Sequence, residues 1–229
     1  MKIHTFGDSH SYFAWKDILP KGLKRLLFKY RKLFNPKGII DIKTHHLGPI
    51  LCYSFGRDVF SKCDISLEKY KVRDGDIVVF AFGEIDCRCH INKHAQTDYM
   101  KLIDQIIDNY LIAIKNNVQK CNAKLHSVCV FNVPPPASIK TTIQDPKYPF
   151  LGDDETRKSY YQYFNRSLLK KSKNNDYKFI DVYNQYSDHN GFLSKKFSDG
   201  KVHIKNPYFI KKYFCNEFNI NLDFEIFNN

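Results

Sequence analysis

Asp76-Ile77-Val78-Val79-Phe80-Ala81-Phe82-Gly83 is a near-continuous apolar run closed by a glycine. A strand with one wet face would alternate polar and apolar residues; a run without alternation is typical of a strand buried on both faces of a parallel sheet. Toward the N-terminus, Lys2-Ile-His-Thr-Phe6 alternates in part and breaks at Gly7, which reads as a first strand and a tight turn. Ile39-Ile-Asp-Ile-Lys43 is a weaker strand candidate. Toward the C-terminus, Leu125 to Val133 forms another strand, stopped by Pro134, Pro135 and Pro136, and Tyr177 to Val182 forms the last. Between them, Ile103, Ile106, Ile107, Tyr110, Leu111, Ile114 and Val118 recur at helical spacing, with Thr97 and Asp98 as candidate caps. Tyr160, Tyr161, Phe164 and Leu168 repeat the pattern after Asp153 and Asp154, and Asn206-Pro207 opens a final helix with proline at its first position. Strand and helix alternate, so the fold class is α/β, with a parallel sheet covered by helices on both faces. Ligands then bind beyond the carboxyl ends of the strands.

The chain has 229 residues, 43% hydrophobic and 26% charged. These values exclude a disordered chain, a coiled coil or a collagen-like rod, and the length suits a single domain over residues 1–229. No apolar run approaches the roughly 18 residues of a membrane span. The first residues, Met1-Lys-Ile-His-Thr-Phe-Gly, lack the basic-then-apolar layout of a secretory signal. Seven cysteines, an odd number, then predict reduced thiols and a cytoplasmic setting. Lys and Arg total 36 against 24 Asp and Glu, a net +12 that favours an anionic partner.

Much of that charge lies in an amphipathic insertion at about residues 16–38, which holds eight basic residues and one acid, Asp17. Leu23, Leu26, Leu27, Tyr30, Leu33 and Phe34 line one face at helical spacing. Two readings stand: contact with a membrane surface or polyanion, or a helix packed on the sheet with a solvated basic face. The second is the plainer use of an apolar stripe. No zinc finger, RNA-recognition motif or glycine-rich basic tail points to sequence-specific nucleic acid binding. No phosphate-cradling loop or Gly-x-Gly-x-x-Gly turn points to a nucleotide, and no cofactor is expected.

Three segments fall where a parallel sheet puts its site. Gly7-Asp8-Ser9-His10 follows the first strand; a serine there can project its hydroxyl above the sheet, although Asp8 and Ser9 could simply cap a helix. Gly83-Glu84-Ile85-Asp86-Cys87-Arg88-Cys89-His90 follows the most apolar strand; its plainer reading is a surface loop held by Arg88 with Glu84 or Asp86. Cys87, Cys89 and His90 have no second ligand pair nearby in sequence, so no metal site is expected. Ser198-Asp199-Gly200-Lys201-Val202-His203 precedes the final helix and offers a histidine base with an orienting carboxylate, or a turn with a hydrogen-bonded histidine. A serine hydroxyl needs such a base to become a nucleophile.

Together these segments resemble the SGNH/GDSL hydrolase superfamily, from residue 3 to about 215. The resemblance implies a flavodoxin-like three-layer sandwich with a central parallel sheet. It implies Ser9 as nucleophile, His203 as base and Asp199 as its partner. It places Gly48 in the oxyanion hole, with Gly56 in reserve, and Gly83 and Asp86 in the site wall. Asp8, His10, Glu84, Arg88 and His90 are taken as substrate-binding residues, with His10 alternatively bracing the Ser9 turn. Two departures stand out. Ile85 replaces an asparagine whose amide donates to the oxyanion, a loss worth roughly 10²–10³ in turnover unless Arg88 or His90 compensates. Asp199 and His203 are one residue further apart than in the family pattern, which Gly200 could absorb. The combination of Gly-Asp-Ser-His with Gly-Glu-Ile-Asp-Cys-Arg is similar to a branch found beside glycan-assembly genes. The implied activity is hydrolysis of an acyl ester on a carbohydrate or small molecule, the partner being a small or glycan substrate, with an anionic one favoured by charge. O-acyl transfer to a glycan, or sugar binding without catalysis, are the alternatives.

Overall fold

The computed structural model describes residues 1–13, 40–57, 65–95 and 98–222. The amphipathic insertion at 16–38 and Thr97 lie outside the described residues. Five strands, β1 (Ile3–Gly7), β2 (Ile42–His46), β3 (Ile77–Ala81), β4 (Ser127–Phe131) and β5 (Lys178–Ile180), pair in parallel in the order β2-β1-β3-β4-β5. This is the flavodoxin-like order, and the direction of winding reverses between β1 and β3. In register, Gly7 lies opposite His46 on one side and Ala81 on the other. The segments after β1, β2 and β3 therefore emerge side by side.

Period-two alternation along β3 explains its unbroken apolar sequence. Val78, Phe80 and Phe82 enter one core, while Ile77, Val79 and Ala81 enter the other. The first core is closed by α1 (Cys52–Arg57), α3 (Tyr99–Gln119) and α4 (Asp154–Lys173), beside the short α2 (Ile91–His94). The second is closed by α6 (Tyr208–Phe218) and Tyr186, the last residue of α5 (Tyr183–Tyr186). Helices cover both faces of the sheet, giving three layers. Asp98 caps α3 by accepting from the amides of Met100 and Lys101, and Asp153 caps α4 by accepting from Thr156.

The strand expected at 39–43 is found at Ile42–His46. The Ile40 amide donates to the Asn221 carbonyl at 2.9 Å instead of joining the ladder to β1. Pro207 stands one place before α6, as its cap residue, rather than inside it. The six described cysteines are free thiols. Among the described residues, no helix is long and apolar enough to cross a membrane.

Candidate active site

The turn after β1 is tightly specified. A Cβ on Gly7 would stand 2.0 Å from the Ala81 carbonyl oxygen, so β1 and β3 can approach this closely only with glycine there. Asp8 then caps a single helical turn, Ser9–Ser11, by accepting from the His10 amide at 2.8 Å. The Asp8 carbonyl accepts from the Ser11 amide and hydroxyl, at 3.1 and 2.7 Å. Thr5 in β1 donates to the Ser11 carbonyl at 2.9 Å. Ser9 is held at the carboxyl end of the sheet, beside the reversal point of the strand order.

Across from it, Ser198 and Ile204 form an antiparallel bridge that closes a small loop. Gly200 turns this loop at φ +86°, and the Asp199 amide donates to the His203 carbonyl at 3.1 Å. The additional residue between Asp199 and His203 is accommodated in this turn. Asp199 Oδ1 accepts from the amides of Lys201 and His203, at 2.8 and 3.2 Å. Its Oδ2 lies 2.9 Å from His203 Nδ1, and His203 Nε2 lies 2.8 Å from Ser9 Oγ. The carboxylate only accepts, so Nδ1 carries the ring proton and Nε2 accepts from the serine hydroxyl. Burial opposes the charge on Asp199, but the His203 contact and the two amides hold its carboxyl below the ordinary value.

Gly48 follows β2, directly beside this turn, because the Leu47 amide donates to the Gly7 carbonyl at 2.9 Å. Among the described residues, no acceptor lies against the amides of Ser9 and Gly48. Gly56 sits inside α1 against Asn109 and Tyr110, away from the serine, so it is not the oxyanion glycine. Asp86 is buried and accepts from the amides of Cys52 and Tyr53, at 2.6 and 3.0 Å. It thereby ties the end of β3 to the helix after the Gly48 loop. Burial pushes its carboxyl up to about 7, against the pull of those two donors. Gly83 is a packing position, since a Cβ there would press on Val133 and Phe164.

The residues expected to touch substrate lie deeper. Glu84 and Arg88 are buried and paired with each other, Nε to Oε1 at 2.9 Å and Nη2 to Oε2 at 3.0 Å. Tyr161 on α4 donates to Glu84 at 2.9 Å, and Arg88 also donates to the Tyr148 carbonyl. Burial opposes the charge on Glu84, yet Arg88 and His10 hold its carboxyl below the ordinary range. Asp8 is fully buried beneath its own turn, and His10 is nearly so. The expectation of substrate contact is therefore corrected for Asp8, His10, Glu84 and Arg88: they form a buried, internally paired layer under the serine. For the same reason Arg88 is not a free donor in place of the missing asparagine. His90 packs against Tyr53 and His94, with ring centres 4.6 and 4.4 Å away, and burial lowers its pKa to about 4. The π-type turn over Asp86–His90 gives this segment a wider helical path than an α-helix. Among the described residues, no group of three His, Cys, Asp or Glu side chains is placed to hold a metal ion.

Sequence reasoning missed Tyr161 and Val202. Tyr161 reads as a core residue of an amphipathic helix, and the Val202 backbone carbonyl, which lies 3.2 Å from His10 Nε2, leaves no sequence signal.

No protein-family model and no curated sequence matches the chain. Solved structures do. A lipase from a goat rumen metagenome superposes with a TM-score of 0.56 at 13% identity, covering 97% of this chain and 100% of that one. A GDSL-like lipase from Bacteroides thetaiotaomicron gives 0.55 at 14%, covering 94% and 88%. The aryl esterase of M. smegmatis gives 0.53 at 12%, covering 96% and 99%. The fold of this chain is the GDSL (SGNH) hydrolase fold, an all-parallel α/β sandwich.

Proposed function

We propose that the protein is a serine-dependent acyl-ester hydrolase acting on acylated carbohydrates or small esters. The observation that carries this reading is the relay of Ser9 Oγ to His203 Nε2 at 2.8 Å and His203 Nδ1 to Asp199 at 2.9 Å. In this mechanism, Ser9 Oγ attacks the ester carbonyl while His203 Nε2 takes its proton. The amides of Ser9 and Gly48 receive the developing oxyanion. His203 returns the proton to the departing alkoxide, leaving an acyl group on Ser9. Water, deprotonated by His203, then releases the acid and restores the hydroxyl. With Ile85 in place of an amide donor, the oxyanion has two backbone donors, and turnover is roughly 10²–10³ lower than a third would allow.

A second fate of the same acyl-enzyme is transfer to a sugar hydroxyl. A cavity of about 780 Å³, lined in part by Ser138, Asp188, Phe192 and Lys195, lies in the segments after β4 and β5, but neither Ser9 nor His203 lines it, so the choice of acceptor rests on the assay. The basic stretch 16–38 is a further candidate contact for a membrane surface or polyanion.

The test is p-nitrophenyl acetate turnover by wild type and Ser9→Ala, with and without sugar acceptors. Turnover that depends on Ser9 is expected; equal rates for the two proteins would refute the hydrolase and leave sugar binding without catalysis. Acylated sugar formed at the expense of free acid would identify transfer.

A further inference from the structure

We propose that His10 is a positioning residue: its ring clamps the turn that carries Ser9 to the loop that carries His203. The inference rests on the serine-hydrolase reading above and adds a group that the relay does not contain.

The geometry is two-sided. His10 Nδ1 lies 3.1 Å from Asp8 Oδ1, and His10 Nε2 lies 3.2 Å from the Val202 carbonyl oxygen. Both partners are acceptors, a carboxylate and a backbone carbonyl. A neutral imidazole has one N–H and can satisfy only one of them; the imidazolium has two and satisfies both. Asp8 is buried, and its second oxygen has no partner among the described residues. The His10 ring and amide are thus the hydrogen-bond partners of that carboxylate. Val202 directly precedes His203, so the bond to its carbonyl fixes the backbone that aims His203 at Ser9. The two imidazole rings lie 5.0 Å apart, tilted by 35°.

The charged groups around His10 agree with this state. From its own turn it faces Asp8; from the end of β3 it faces Glu84, which Arg88 pairs on its other side; across the gap it faces His203, backed by Asp199. Burial works against the charged ring, but Asp8, Glu84 and the Val202 carbonyl raise its pKa to about 9. With both nitrogens engaged, the ring has no donor left for a substrate. Its action on the reaction passes through the placement of His203.

Three measurements test the clamp. First, nitrogen NMR of the histidine side chains in the wild-type protein, across pH, reads His10 directly. Both nitrogens are expected to be protonated at neutral pH, with proton loss near 9. A neutral His10 at neutral pH would overturn the proposal, and this experiment needs no variant to fold. Second, His10→Ala is expected to lower kcat about 10²-fold with little change in KM, the loss expected of a misplaced base. Third, imidazole added to His10→Ala is expected to restore turnover in a saturable way, after subtraction of its direct reaction measured with Ser9→Ala. Loss of kcat in a folded His10→Ala protein without rescue would assign His10 a purely structural part and refute the clamp. If Ser9→Ala keeps full turnover, the hydrolase reading falls, while the NMR result still decides the state of His10.

Discussion

The buried Glu84–Arg88 pair allows a quantitative prediction. Arg88→Met keeps the length and apolar body of the side chain but removes the guanidinium. Glu84 then remains buried with Tyr161 as its one side-chain donor among the described residues. Breaking a buried ion pair by removing one partner costs about 3–5 kcal/mol, because the other charge is stranded. For a chain of this size each kcal/mol lowers Tm by about 2–4 °C, so the variant is expected to melt roughly 6–20 °C below wild type. Glu84→Gln/Arg88→Met, which removes both charges, is expected to recover much of that loss. The pH dependence has a defined sign. In wild type the Glu84 carboxyl is held below its ordinary value, so it contributes stability above the unfolded value of about 4.3, lost as pH falls through the lower folded value. In Arg88→Met, His10 is the cation left facing Glu84 among the described residues, so burial raises the folded value relative to wild type and the stability contributed above about 4.3 shrinks. The gap between the two proteins is therefore widest at neutral pH and closes toward acid. Thermal or urea unfolding across pH reads this. A loss under about 1 kcal/mol at neutral pH, as for an exposed pair, would refute the argument.

Two further predictions concern neighbouring positions. Gly7→Ala places a Cβ against the Ala81 carbonyl at 2.0 Å, forcing β1 and β3 apart; overpacking of this kind costs about 1–3 kcal/mol, and an unchanged melting temperature would refute the close approach. Asp86→Asn removes a carboxylate whose folded pKa is raised to about 7. Because that value exceeds the unfolded value of about 3.9, the charged form disfavours folding between those two pH values. The variant, which loses one acceptor for two amides, is expected to gain relative to wild type as pH rises from about 4 to about 7; a difference in Tm independent of pH would count against the raised value.

The legibility of the sequence followed burial. β3 is readable to within a residue because both of its faces are buried, which gives the unbroken apolar run typical of a central parallel strand. β2 is an edge strand, Ile-Lys-Thr-His-His, with a mostly half-buried pattern, and its apolar signal was too weak to set its ends. In the site, the segments of Ser9, Asp199 and His203 each read singly as a capping turn or a hairpin, and it is the resemblance that joins the three residues, which the structure places within hydrogen-bond distance of one another. The layer beneath them is not readable in this way. Charged residues in a loop default to solvent; Glu84 is held inside by Arg88 four residues on together with a tyrosine 77 residues away on another element, and the second partner leaves no local signal. For His10 the deciding partner is a backbone carbonyl 192 residues away, which no side-chain pattern announces.

The site therefore divides by depth. Asp199 and His203 keep about a third of their side-chain surface exposed, while Asp8, His10, Glu84 and Arg88 lie almost entirely below it. An unpaired charge at that depth would be costly, and each buried one has a partner: Asp8 with His10, Glu84 with Arg88, and Asp86 with two helix amides. These partnerships link segments rather than neighbours alone. Asp86 connects the end of β3 to the start of α1, the Glu84 network reaches α4, and His10 reaches the loop before α6. The three segments that must converge for the Ser9–His203 contact come from distant parts of the chain, and short-range turn chemistry fixes each one only internally. Buried charge pairs are directional and fail steeply when displaced, so they hold relative positions that apolar contacts would leave free to slide. On this argument the polar layer sets the accuracy of the site, and under the proposed hydrolase reading the exposed Ser9–His203–Asp199 chain above it is left to move protons.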